Sequence, residues 1–150
     1  MELDPHLLHL VIRWLHVAAM ATAFGGAVTI LALSARPGGG TASAVLGVAF
    51  LYEWLFWGAA GVLAMTGIGN LAAFGGALLG PGTDWGTTLE LKLGSVVALA
   101  ILSLPRTIAV ARMSATGAVA GSVVTLRNLY GATAGAFAVI LGLAIWLAHG

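Results

Sequence analysis

The sequence predicts an all-α fold: an integral membrane four-helix bundle of up-down-up-down topology, with both termini extracytoplasmic. Three observations predict it. Apolar residues make up 60% of the 150 and charged residues only 7%, whereas soluble domains carry about 25% charge. The mean hydropathy is +1.04. Four apolar runs each exceed the roughly 20 helical residues that a hydrocarbon core of about 30 Å requires. Strands are excluded because these runs lack two-residue alternation and an open sheet leaves its edges unpaired in lipid. A net charge of +1 with six basic residues offers no phosphate-tracking patch, which excludes a nucleic-acid partner. With no cysteine, disulfides, thiolate metal sites and iron–sulfur clusters are excluded as well.

The first helix is expected over 7–33, opened by Asp4-Pro5, an N-cap followed by a first-turn proline. Its leader is acidic (Glu2, Asp4) and its apolar run is too long for a signal-peptide core, so it reads as a retained span. Ser34-Ala35-Arg36-Pro37-Gly38-Gly39-Gly40 breaks the chain. The second helix is expected over 45–79 and ends before Gly80-Pro81-Gly82-Thr83-Asp84. The third is expected over 89–111. A weaker Ala/Gly/Ser-rich turn, Met113 to Gly121, precedes the fourth, expected over 123–148. No repeat or composition shift divides the chain, so residues 1–150 read as one domain.

Charge asymmetry sets the expected orientation. Arg36, Arg106, Arg112 and Arg127 fall at one face, while Glu2, Asp4, Asp84 and Glu90 fall at the other, joined only by Arg13 and Lys92. By the positive-inside rule the arginine face is cytoplasmic, which places the chain in a bacterial or archaeal plasma membrane with its N- and C-termini outside. Trp14, Trp85 and Trp146 are then expected in the outer aromatic belt, and Tyr52, Trp54 and Tyr130 in the inner one. Glu53, between Tyr52 and Trp54, is expected at the inner interface.

The first helix carries the clearest chemical pattern. His6, His9, Arg13, His16 and Met20 follow one another at spacings of three and four, so they share one helix face. His6 and His9 fall in the headgroup region. His16 lies beyond Trp14, inside the apolar run, where an ionisable group is a functional candidate by default. In the third helix, Lys92 either snorkels to the headgroups or is held inside the bundle. The second helix adds Asn70, an amide that needs a partner in lipid. The fourth ends in His149, with Gly131, Gly135 and Gly142 along the face behind it, a stripe that suits helix packing or an oligomer contact.

Because the helices alternate in direction, His16, Asn70, Lys92 and His149 are all expected in the outer half. Imidazoles and an amine at one depth suit haem held by axial imidazole between helices; imidazole with thioether suits copper. His9 and His16 are about 10 Å apart along one helix and cannot be opposite ligands of one iron. A second ligand must come from Lys92 or His149, or the iron is five-coordinate. Arg13 is a candidate partner for haem propionates. In the copper reading His6, His9, His16 and Met20 form an entry ladder.

Arg13-Trp14-Leu15-His16-Val17-Ala18-Ala19, Met65-Thr66-Gly67 and Trp85-Gly86-Thr87-Thr88-Leu89-Glu90-Leu91-Lys92-Leu93 resemble segments of the copper resistance protein D (CopD) superfamily, to which the HemJ-type protoporphyrinogen oxidases are similar. The resemblance implies a four-helix membrane bundle. From the HemJ-type proteins it implies that His16 is a haem b ligand and Lys92 a functionally needed, catalytic lysine. From the copper resistance members it implies copper passage across the inner membrane. The chain differs from the HemJ-type pattern at Phe24-Gly25-Gly26-Ala27-Val28 and at Glu90, where those enzymes tend to place a histidine.

Three functional expectations follow. The first is a membrane haem b protein for electron transfer, with a quinone or a redox-complex subunit as partner and porphyrin oxidation as its enzymatic version. The second is a CopD-like copper-handling protein. The third is a cofactor-free structural subunit packing through Gly131 and Gly135.

Overall fold

The fold, seen in a computed structural model, is described for residues 5–36, 41–73, 82–117 and 121–149; the side chains of Asn70 and His149 lie outside the described residues. It is all-helical. α1 (Pro5–Ala35), α2 (Ala42–Ala73), α3 (Asp84–Thr116) and α4 (Ser122–His149) follow in order, and each is long and apolar enough to cross a membrane.

The helix ends explain where the boundaries fall. Pro5 begins α1, where a missing N–H costs nothing. Thr41 caps α2, its hydroxyl accepting from the Ala44 N–H at 3.3 Å. α3 starts five residues earlier than the apolar run suggests because Thr83 caps it: the Thr83 hydroxyl accepts from the Gly86 N–H at 3.0 Å. It also runs on through Pro105 to Thr116, stopping at Gly117, whose φ of 63° is the left-handed conformation that glycine adopts without strain. Residues 74–79 of the expected second helix lie outside the described residues.

Contacts between helices follow a regular order. Along α1 and α2, Ile12 lies by Gly69, His16 by Thr66, and Gly26 by Tyr52. Between α1 and α4, Phe24 meets Phe137 and Leu31 meets Gly131. Between α2 and α4, Ala49 and Glu53 meet Tyr130, and Phe56 meets Phe137.

The core is built by matching small residues to large ones. Ala19, Ala23 and Ala27, one turn apart on α1, are buried against Tyr52 and Phe56 of α2 and Tyr130 and Phe137 of α4. A Cβ at Gly26 would land on the Tyr52 ring, so the glycine is what lets the ring approach α1 and donate its hydroxyl to the Ala23 carbonyl at 2.5 Å. In lipid, such close packing rather than the hydrophobic effect holds helices together. Leu10, Val17, Leu51, Leu102, Val139 and Ile145 face outward, as lipid contact requires.

Packing differs along the bundle. The buried residues of α3 are Gly86, Ser103, Arg106 and Val110. Between Gly86 and Ser103 no residue of α3 is fully buried; Lys92, Ser95 and Leu99 are partly buried, and Leu99 packs against the core.

Candidate functional sites

Two polar sites emerge at different depths. The deeper is a buried cluster joining three helices. Arg106 of α3 donates from Nε to Glu53 Oε1 at 2.9 Å and from Nη2 to Glu53 Oε2 at 3.1 Å, a bidentate ion pair to α2. Its Nη1 donates to Thr133 of α4 at 2.9 Å. Tyr130, also on α4, donates to Glu53 Oε1 at 2.6 Å. Thr107 donates to Oε2 at 2.5 Å and accepts from Trp57 Nε1 at 3.0 Å. Glu53 thus receives four donors, about the capacity of a carboxylate.

Arg106 is 2% exposed and Glu53 5%. The guanidinium carbon sits 4.3 Å from the Phe56 ring centroid and 5.2 Å from that of Tyr130, contacts that favour a desolvated cation. An unpaired charge deep in the bilayer costs at least ~3 kcal/mol on insertion scales. Pairing two opposite charges with full hydrogen bonding removes most of that penalty.

This arrangement corrects several expectations. Arg106 is not a headgroup arginine but half of an internal ion pair, so it adds no net positive charge to the inner face. Glu53 is inside the bundle rather than at the interface. Tyr52 and Tyr130 are buried and form no lipid-facing belt, because their hydroxyls find acceptors within the protein. Trp54, by contrast, is exposed, as are Trp14 and Trp146.

A register argument could have found the cluster. Glu53, Arg106 and Thr133 each lie roughly ten residues, about 15 Å at 1.5 Å per residue, from the α2 N-terminus, the α3 C-terminus and the α4 N-terminus respectively. Those three ends share one face in an alternating bundle. Two opposite charges at equal depth are a pairing signal, whereas the aromatic neighbours of Glu53 and the charge asymmetry that grouped Arg106 with the other arginines suggested an interface.

The second site holds the residues that the sequence singled out. His16 is half-buried, and its Nδ1 lies 2.8 Å from Thr66 Oγ1. That hydroxyl donates its one proton to the Val62 carbonyl at 2.6 Å, and while it does so it can only accept from the ring. With the hydroxyl proton on Val62, Nδ1–H is the donor of the 2.8 Å contact and Nε2 is left to accept; with that proton turned to the ring, the roles reverse. A backbone-anchored acceptor on one nitrogen with the other unprotonated is how a ligating imidazole is oriented. Gly67 lies beside the ring: a Cβ there would sit 3.9 Å from His16 Cε1, an ordinary van der Waals contact. Lys92 of α3 is half-buried and within electrostatic reach of the ring.

The remaining predicted residues are placed as follows. Met20 is half-buried one turn below His16, while His6, His9 and Arg13 are exposed. The stripe is therefore continuous on α1 but enters the bundle only from His16 onward. Asn70 and His149, as side chains, lie outside the described residues. No group of three His, Asp or Glu side chains that could hold a metal ion by itself occurs among the described residues.

No protein-family model, curated protein or solved structure matches the chain.

Proposed function

We propose that the chain is a membrane haem b protein for electron transfer, with His16 as an axial ligand through Nε2. The observation that carries this reading is the Thr66 hydroxyl, which accepts from His16 Nδ1 while committed as a donor to Val62. With the hydroxyl donating to Val62, Nδ1 carries the proton, Nε2 is the nitrogen that could ligate, and the contact holds the ring against α2. No residue of α3 between Gly86 and Ser103 is fully buried, so the α3 side of this end of the bundle is where a flat prosthetic group would lie. Lys92 would hold the group from α3, as a second ligand or a propionate partner, and Arg13, exposed near the start of α1, would be a further propionate partner. Haem bound there supplies one-electron transfer. The chain's own contribution is to orient the imidazole, exclude water from the ring and supply cations at the rim. The CopD and HemJ-type resemblance belongs to the same proposal.

The proposal includes the topology. Contacts that pair α1 with α2 and with α4 in reversed order, and α2 with α4 in the same order, support an up-down-up-down bundle. With Arg106 neutralised by Glu53, the cations left at the α1 C-terminal, α3 C-terminal and α4 N-terminal ends are Arg36, Arg112 and Arg127, all exposed. That distribution supports a cytoplasmic face there and termini outside, in a bacterial or archaeal plasma membrane.

Absorption spectra of the purified protein, oxidised and dithionite-reduced, with metal analysis on the same sample, test the cofactor. A Soret band that disappears in His16→Ala is expected; full haem retention in that variant refutes the ligand assignment. A colourless protein containing copper supports the copper reading, with His6, His9, His16 and Met20 as its ladder, and a metal-free one supports the structural subunit.

A further inference from the structure

The buried ion pair has a second consequence, which lies in the donors it does not use. Arginine has five N–H groups. Three of those on Arg106 donate to Glu53 and Thr133, which leaves one on Nη1 and one on Nη2 with no acceptor among the described residues. Arg106 also lines a groove of about 470 Å³ between α3 and α4, within the roughly 300–1,000 Å³ typical of small-molecule sites. Ser103 and Thr133 lie with it at the polar end. The hydroxyl protons of both are already given to helix carbonyls, Leu99 and Leu129, so the spare donors there belong to the guanidinium. The walls are apolar: Leu102 and Ala98 on α3, Ala136 and Val139 on α4. Outward-facing Leu102 and Val139 place its mouth on the lipid side.

We propose that this groove binds a quinone: a neutral, lipid-soluble ring whose carbonyl oxygen accepts from Arg106 and whose tail leaves between α3 and α4. Three features select that chemistry. The spare groups are donors, so the ligand must present an acceptor. The cation is already neutralised by Glu53, so an anionic headgroup gains no net attraction; a neutral carbonyl suits the site better than a phosphate. The alanines on facing walls leave a flat space, and the opening is reached from the membrane rather than from water. This goes beyond the proposed function by naming a quinone as the electron-transfer partner; it rests on the electron-transfer reading alone, since the groove owes nothing to His16 or to haem.

The test is photolabelling in nanodiscs with an azido-benzoquinone carrying a decyl tail, mapped by mass spectrometry. Competition by non-photoreactive decyl-benzoquinone and by phosphatidylglycerol runs in parallel arms. Labelling confined to residues 95–106 and 129–140, displaced by the quinone and not by the phospholipid, is expected. Ala136→Trp fills the groove and should lower labelling by about tenfold or more, the loss that accompanies ~1.4 kcal/mol of binding energy. Ala138→Trp, on an exposed face of α4 away from the groove, should leave it unchanged. Label spread evenly over lipid-facing helices overturns the proposal. So does label insensitive to Ala136→Trp in a variant that keeps the parent's helicity and melting temperature. Displacement by phosphatidylglycerol alone also overturns it, assigning the groove to a lipid headgroup. Because the readout is covalent label, a failed haem assignment and a failed quinone site are told apart.

Discussion

Removing one partner of the Glu53–Arg106 pair should be far worse than removing both. In Arg106→Met the carboxylate loses the Nε and Nη2 donors at 2.9 and 3.1 Å and keeps only Tyr130 and Thr107. Breaking a buried pair in this way costs about 3–5 kcal/mol, because the remaining charge stays desolvated. Glu53→Leu strands the guanidinium with Thr133 and the aromatic rings, and turns Tyr130 back on a weak 3.4 Å bond to the Ala49 carbonyl; a loss of similar size is expected. The double variant removes both charges, and a well-packed apolar replacement of a buried pair is often close to neutral. It should therefore unfold much nearer to the parent than either single variant, with a coupling energy of about 5 kcal/mol or more, the two single losses less the small cost of the double. Reversible unfolding in mixed micelles, followed by circular dichroism, gives the three differences. Single variants costing under ~1 kcal/mol, or a double variant equal to the sum of the singles, would show that the pair is solvated and the proposed burial wrong.

Other perturbations test separate parts of the structure. Gly26→Ala drives a methyl into the Tyr52 ring and should cost about 1–3 kcal/mol by overpacking; Gly25→Ala, with nothing within 4 Å, should be neutral or slightly stabilising in the same thermal assay. Thr66→Val removes the acceptor that orients His16 and should weaken haem binding by about 10- to 100-fold without destroying it, measured by haem titration of the apoprotein. The chain has no native cysteine, so single cysteines report orientation directly: Thr41→Cys should react with an impermeant maleimide only from the cytoplasmic side and Thr83→Cys only from outside. The opposite pattern overturns the orientation.

Some of this was legible in the sequence, and for a clear physical reason. Hydrocarbon is an unforgiving solvent for backbone and charge, so composition and run length alone fix four apolar helices. The spacing of His16 and Met20 on one face is equally a local property, set by 3.6 residues per turn. Capping by Thr83 and the stop at Gly117 were local too, but they extend α3 beyond its apolar run, which hydropathy does not register.

What only the tertiary structure decided are the partners. Glu53 and Arg106 are 53 residues apart, and nothing local says that one neutralises the other. Read singly, each looks like an interfacial charge, Glu53 beside Tyr52 and Arg106 among the arginines of one face. Paired, they become a neutral unit buried among Phe56, Tyr52 and Tyr130. The same holds for His16: its face was set by the helix period, but its tautomer depends on a hydroxyl 50 residues away that is already donating to its own helix. Sequence determines which residues each helix presents on each face. Register between helices, which depends on close approaches such as that of the Tyr52 ring to Gly26, determines what those residues meet.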